Sequence, residues 1–314
     1  MKLLITGALG HIGSGLIRLL PKHFPGLEIK IVDNMMTQRF CSLFNLPENG
    51  KYEFVEDDIR TTDLDALLNG VDIVIHLAAI TDAAGSFGKA HEVEENNYNS
   101  TKTLADACAS REIRLITLSS TSVYGTQNTV VDEDCTEDEL KPQSPYAITK
   151  LKEEKYVEEL VRTKNLRAVI LRFGTIFGTS EGMRFHTAVN KFCWQAVMKK
   201  PISVWRTAYQ QKRPYLDLQD ALRAFIFIIE NDLFDGNIYN VVTNNSTVED
   251  IVNTIREFVP ELEVGFVDNQ IMNQLSYEVS ANRFAQKGFI SQGNLRNGIE
   301  QTILLLRSAN NHTA

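Results

Sequence analysis

Short apolar runs alternate with longer stretches in which hydrophobic positions recur every three to four residues, and the alternation is regular through the first half of the chain. The runs predict strands at Lys2–Thr6, Glu28–Asp33, Tyr52–Glu56, Asp72–Leu77, Arg114–Ser119 and Ala168–Phe173. The intervening stretches predict helices at His11–Leu20, Asp63–Asn69, Glu92–Ser110 and Pro145–Thr163. Strands covered on both faces are apolar throughout, so this pattern predicts an α/β fold, a doubly wound parallel sheet with helical crossovers. After Phe173 the rhythm loosens. A glycine-containing stretch, Gly174–Gly182, leads to a helix at His186–Lys199 and a strand at Ile202–Trp205. A strand and a helix share Arg213–Glu230, a strand follows at Asn237–Val242, and helices are predicted at Thr247–Phe258 and Leu295–Arg307. The expected organisation is a first domain over 1–174 to which 213–245 returns, a smaller interleaved α/β lobe from 175–212 and 246–308, and a frayed tail at 309–314.

Composition narrows the function classes. The chain has 314 residues, 43% hydrophobic and 23% charged, which is the balance of a folded protein with a sizeable core. Lys and Arg number 32 against 40 Asp and Glu, a formal charge of −8, which argues against nucleic acid or an anionic membrane as partner. An anionic small ligand would therefore need local Arg or Lys. Cys41, Cys108, Cys135 and Cys193 are far apart, with no CxxC spacing, so a reducing cytoplasm is the expected location. The first residues run straight into a strand and a glycine loop, without the pattern of a cleaved signal. The longest apolar run, Ala224–Ile229, is closed by Arg223 and Glu230 and is far short of the roughly 18 residues of a membrane helix.

The first strand ends in Gly7-Ala8-Leu9-Gly10-His11-Ile12-Gly13, a GxxGxxG turn that opens a helix. Missing side chains let backbone N–H groups approach a pyrophosphate, and the helix N-terminus adds partial positive charge. Asp33 closes the next strand, where a carboxylate can accept from ribose hydroxyls. Such a carboxylate repels a 2′-phosphate, so NAD is predicted over NADP; Arg39 is read as a surface residue. Asp58 and Ile59 follow the third strand and are candidates for the adenine edge and face, with a turn cap as the other reading of Asp58.

Tyr146 and Lys150 stand four apart on a predicted helix and so share one face. A nearby cation that favours phenolate makes tyrosine a usable base near neutrality. Ser144-Pro145 is a start signal for that helix, and the preceding strand ends in a hydroxyl cluster, Ser119-Ser120-Thr121-Ser122. Ligands of parallel sheets collect beyond the carboxyl ends of the strands, so the cluster and Tyr146 can converge. The six histidines show no HxxxH or HExxH spacing, so no metal site is expected, and His76 is read as a packed residue. Trp205 could stack on a base or be buried under the small lobe.

Together Gly7/Gly10/Gly13, Asp33-Asn34, Asp58-Ile59, His76-Leu77-Ala78-Ala79, Asn97 before Ser100-Thr101, Ser119–Gly125 and Tyr146/Lys150 resemble the extended short-chain dehydrogenase/reductases, in particular the nucleotide-sugar epimerase/dehydratase group. The resemblance spans nearly the whole chain and implies a Rossmann fold. It implies that Tyr146 is the general base toward a sugar hydroxyl, that Lys150 lowers the tyrosine pKa and holds the nicotinamide ribose, and that Ser120 shares a hydrogen bond with the reacting oxygen. It implies NAD contacts from Gly7, Gly10, His11, Ile12, Gly13, Asp33, Asn34, Asp58, Ile59, Leu77, Ala78, Ala79 and Asn97. On the substrate side it implies Thr81, Ser120, Thr121, Thr175 and Arg213, the last from Arg213-Pro214-Tyr215-Leu216-Asp217, whose Arg holds the diphosphate. Arg283 is a further candidate for diphosphate charge, or a solvated helix residue. The implied substrate is a nucleotide-diphosphate sugar and the implied assembly a homodimer through Glu92–Ser110 and Pro145–Thr163.

Two departures shape the expected reaction. Thr121 and Ser122 stand where 4,6-dehydratases of this group carry an Asp-Glu pair, so the usual agents of elimination are missing. Thr175 stands where many epimerases have Asn. The expectation is a 4-epimerase working through a transient 4-keto sugar, with a 4-dehydrogenase or 4-ketoreductase as the alternative. A non-catalytic nicotinamide sensor would not need Tyr146, Lys150 and Ser120 together, and a threonine-dehydrogenase-like or aryl-ketone reductase would not need Arg213.

Overall fold

The computed structural model describes residues 1–83, 85–127, 130–268 and 276–310. The first half follows the predicted rhythm: β1 (Lys2–Thr6), α1 (His11–His23), β2 (Glu28–Asp33), β3 (Lys51–Glu56), α2 (Leu64–Leu68), β4 (Ile73–His76), α3 (Ala90–Ser110) and β5 (Arg114–Ser120). A short 3-10 turn at Thr121–Tyr124 leads to β6 (Val130–Val131), α4 (Pro145–Lys164) and β7 (Ala168–Phe173). The second half contains β8 (Thr175–Phe177), α5 (Ala188–Val197), β9 (Ile202–Trp205), β10 (Arg213–Asp217), α6 (Leu218–Glu230), β11 (Ile238–Val241) and β12 (Asn244–Ser246). It continues with α7 (Val248–Phe258), β13 (Val264–Val267), β14 (Glu278–Val279), α8 (Asn282–Gln286) and α9 (Leu295–Arg307). Residues 311–314 of the expected tail lie outside the described residues.

Seven strands form one parallel sheet in the order β11-β7-β5-β4-β1-β2-β3. From β1 the chain winds outward through β2 and β3, then crosses to β4 on the other side. This is the doubly wound Rossmann arrangement, and the reversal beside β1 opens a crevice at the carboxyl ends of the strands. One face is covered by α1 and α6, which bury Leu16, Ile17, Leu20, Phe225 and Ile228 against it. The other is covered by α3 and α4, with Leu104, Cys108, Val157 and Leu160 in the core. Each such side chain contributes roughly 1.5–3 kcal/mol by leaving water. A third cluster, Phe177, Phe192, Ile202, Tyr215, Ile251 and Ile299 among its members, is the core of the smaller lobe.

Three departures from the sequence reading have physical causes. Helix α1 does not stop at Leu20 but continues through Pro21 to His23. Proline has no N–H for the carbonyl four residues back; the Tyr52 hydroxyl donates to that Ile17 carbonyl at 2.9 Å instead. Strand β3 is not a covered strand. It is the edge of the sheet, and Lys51, Glu53 and Glu56 are exposed along it, the charged edge that discourages pairing with another sheet. Within 213–245, β11 enters the main sheet, whereas β10 pairs with β8 and β12 in a separate three-stranded sheet.

Candidate active site

A cavity of about 460 Å³ lies over the carboxyl ends of β1, β2, β4 and β5. Its floor is the glycine turn. Gly7 has φ +61°, and a Cβ there would lie 2.7 Å from the Ala78 backbone. At Gly13 a Cβ would lie 2.5 Å from the Ala8 carbonyl oxygen, so both glycines are demanded by packing. Gly10 differs: a Cβ there would approach the Gly7 carbonyl at 3.2 Å and otherwise find open space among the described residues. Its bare backbone, at the N-cap of α1, faces the cavity beside the unpaired first-turn N–H groups, a cradle suited to a pyrophosphate. Burial pushes His11 down to about 4, so its neutral ring donates from Nε2 to the Gly178 carbonyl at 2.8 Å. That bond ties the glycine turn to the loop after β8.

Asp33 lines the cavity at the end of β2, its two oxygens accepting from the Leu9 N–H at 3.1 Å and the Met35 N–H at 3.0 Å. Each oxygen keeps a lone pair, and the carboxylate is held where ribose hydroxyls would meet it. Asp58 accepts from Arg60 Nε at 2.9 Å and Nη2 at 2.7 Å and from Asn34 Nδ2 at 3.1 Å. The Arg60 guanidinium holds its carboxyl well below the usual range. Asn34, Asp58 and Ile59 all line the cavity, as do Ile12, Leu77, Ala78 and Ala79. Arg39, read from sequence as a surface residue, is half-buried at the cavity wall and donates to the Gly182 carbonyl.

Asn97 is corrected from cofactor contact to support. It is fully buried, with Oδ1 accepting from the Ile80 N–H at 2.8 Å and Nδ2 donating to the Ile80 carbonyl at 2.9 Å. It fixes the loop after β4, and its neighbours Asn96 and Ser100 line the cavity instead. Under that loop Thr6 Oγ1 accepts from the Leu77 and Ala78 N–H groups, both at 3.2 Å, so its proton goes to His76 Nδ1 at 2.7 Å. Burial pushes His76 down to about 3, and it is a neutral packed ring, as read from sequence.

Helix α4 starts as its sequence predicts: Ser144 accepts from the Ala147 N–H at 3.2 Å, and Pro145 occupies the first turn. Tyr146 and Lys150 both face the cavity. Ser120 lies near enough to Tyr146 to favour its ionised form, and Ser120 Oγ accepts from the Ser122 hydroxyl at 2.9 Å. Burial pushes the phenol above its ordinary range, while Lys150 and Ser120 pull it down. The expectation of a net depressed phenol is therefore corrected for the protein alone, in which Tyr146 holds its proton. Lys150 is raised: burial opposes its charge, and the acidic groups facing it, Glu153 foremost, more than offset that penalty.

The far end of the cavity is shared by the first domain and the lobe. Thr81, Thr121, Thr175 and Arg213 all line it, with Tyr215 and Tyr277. Thr121 Oγ1 lies 3.3 Å from both the Phe173 carbonyl and the Tyr277 hydroxyl. Trp205 is 38% exposed at the wall, so it is not buried under the lobe. Arg283 is corrected: it sits on α8 away from the cavity, bonded to the Ile238 carbonyl at 3.4 Å and paired with Asp134. The sequence reading missed Arg184. It enters the cavity from the stretch between β8 and α5, donating to Thr81 Oγ1 at 2.9 Å with Asp82 and Tyr146 near enough to act on its charge. No spacing motif marks it, because the partners that place it are a hundred residues away.

A doubly wound parallel sheet with a glycine-turn cradle at its carboxyl edge, and a tyrosine and a lysine beside it, define the class of dinucleotide-binding enzymes. Residues 3–241 match the NAD dependent epimerase/dehydratase family, and the chain belongs to it. It is thus an NAD-dependent enzyme of the epimerase/oxidoreductase kind. It is 31% identical over 249 residues to "Uncharacterized UDP-glucose epimerase YtcB" of Bacillus subtilis (strain 168), covering 77% of this chain and 76% of that protein. It is 28% identical over 319 residues to a trifunctional UDP-glucose 4,6-dehydratase/3,5-epimerase/reductase of Arabidopsis thaliana, spanning 96% of this chain but 46% of that one. The crystal structure of UDP-glucuronic acid 4-epimerase from Bacillus cereus with UDP-glucuronic acid and NAD superimposes with a TM-score of 0.89 at 26% identity, covering 98% of this chain and all of that one.

Proposed function

We propose that the protein is an NAD-dependent nucleotide-diphosphate-sugar 4-epimerase acting through a 4-keto sugar. The observation that carries this reading is the convergence of Tyr146, Ser120 and Lys150 on a cavity whose other end offers Arg213, Arg184 and threonine hydroxyls. Tyr146 takes the proton of the sugar hydroxyl and returns it, Ser120 holds the reacting oxygen, and the Lys150 ammonium lowers the cost of the phenolate. NAD, when bound in the cradle of Gly10 and Asp33, supplies the hydride acceptor and then the donor. Arg213 would hold the diphosphate. The stretch Ser119–Ser122 presents hydroxyls alone, which supports epimerisation over dehydration. The Bacillus relatives favour uridine diphosphate sugars as the first substrates to assay.

A more specific reading rests on Arg184. A half-buried guanidinium beside Thr81 at the sugar end suits an acidic sugar, and the Bacillus cereus neighbour is a glucuronic acid enzyme. Arg184→Met should raise KM for UDP-glucuronic acid about 10–100-fold and leave KM for UDP-glucose nearly unchanged. Equal effects on both sugars would remove the acidic-sugar reading. For the reaction itself, Tyr146→Phe should lower kcat about 10²–10⁴-fold with NAD affinity retained; a variant with full turnover would contradict the proposed base.

A further inference from the structure

We propose that Glu153 is the buried counter-ion of Lys150, a positioning residue that keeps the ammonium charged and aimed beside Tyr146. Tyr146, Lys150 and Glu153 stand at i, i+4 and i+7 and share one face of α4. Lys150 Nζ meets Glu153 Oε2 at 2.9 Å, with the two side chains 5% and 3% exposed. From α3, Thr101 Oγ1 donates to the same Oε2 at 2.8 Å. The other oxygen, Oε1, has no hydrogen-bond partner among the described residues. An orphaned carboxylate oxygen is costly, so the pair is not an arrangement that stability alone favours.

The surrounding charges leave this work to Glu153. An ammonium taken out of water without a partner sheds its proton. Glu154, next along α4, is committed to Arg172 through bonds of 2.9 and 2.7 Å. On β4, burial and the Lys150 charge together push His76 down, so its ring is neutral and offers Lys150 no balancing charge. From the lobe, Arg184 is a second cation acting on Tyr146. Tyr146 is the remaining titratable group facing Lys150, and it is protonated in the protein alone. The family's tyrosine–lysine pair therefore depends in this chain on a third residue.

The inference rests on the acid–base role of Tyr146, but its deciding measurement, the Lys150 titration, needs no substrate and so fails separately from that role. The Lys150 ammonium is followed by NMR in NAD-loaded protein carrying isotope-labelled lysine, assigned by its loss in Lys150→Met. In Glu153→Gln the ammonium should titrate about one pH unit or more lower than in wild type. The alkaline limb of kcat/KM should move to lower pH with it, and Glu153→Asp should restore both toward wild type. Glu153→Met removes the same charge without burying an amide and should shift the midpoint in the same direction. An unchanged Lys150 midpoint in either folded variant would overturn the proposal. Failure of both variants to fold would make Glu153 a residue of the fold and overturn it equally.

Discussion

Two neighbouring carboxylates on α4 are buried beside a cation, and they do different things. Glu154 meets the Arg172 guanidinium with both oxygens, and Arg172 in turn donates to the Tyr124 hydroxyl at 2.9 Å, which donates to Asn240 Oδ1 at 2.9 Å. Every member of that set has a partner, and it knits α4 to β7 and β11. Glu153, about 100° around the helix, holds Lys150, which lines the cavity, with one buried oxygen and leaves the other without a hydrogen-bond partner among the described residues. One set on α4 is thus closed on itself, and the other, behind the cavity-lining Lys150, is left incomplete. Residual cost beside a residue of the cavity, against saturation in the core, is how a folded protein separates holding from acting.

The comparison breaks most sharply on the core side. Glu154→Gln should cost about 3–5 kcal/mol in denaturant unfolding, because it leaves Arg172 as an uncompensated buried charge. A loss well under that would mean that Arg172 finds water or another partner, and the two sets would no longer differ.

A pH experiment sharpens the cavity side. Folding pushes His76 from 6.5 down to about 3, so between those values the unfolded chain binds a proton that the folded chain does not. The neutral ring's contribution is present above pH 6.5 and is lost as pH falls, with a slope of up to about 1.4 kcal/mol per pH unit. His76→Phe should flatten the decline in unfolding free energy below pH 6.5. Parallel declines in the two proteins would show that the ring is not held neutral.

The smallest effect lies far from both sets. Tyr52→Phe removes the hydroxyl that satisfies the Ile17 carbonyl opposite Pro21 and should cost about 1 kcal/mol. No change in thermal unfolding would mean that water replaces it.

What could be read from the sequence follows the same division. Strands β1, β2, β4, β5 and β7, the glycine turn, Asp33 and the Tyr146/Lys150 pair are local in sequence, set by apolar runs, positive-φ requirements and helical spacing. Strands β8 and β12 could not be read, since each is three residues long and exists through pairing with β10. Arg184 and Glu153 were missed for a related reason. Their partners Thr81 and Thr101 lie 103 and 52 residues away, and nothing in either local pattern separates them from solvated charges. Arg283 failed in the opposite direction, since a basic residue near a family landmark turned out to serve Asp134 and a strand carbonyl.

The central claim is reversible oxidation at a sugar carbon with no net use of cofactor. The most direct test is to incubate the purified protein and NAD with UDP-glucuronic acid and UDP-glucose, follow the absorbance of reduced nicotinamide, and identify the recovered sugars. The account predicts a sugar inverted at C4 with no accumulating reduced cofactor. Reduced cofactor rising in step with a keto sugar would contradict it and make the protein a 4-dehydrogenase.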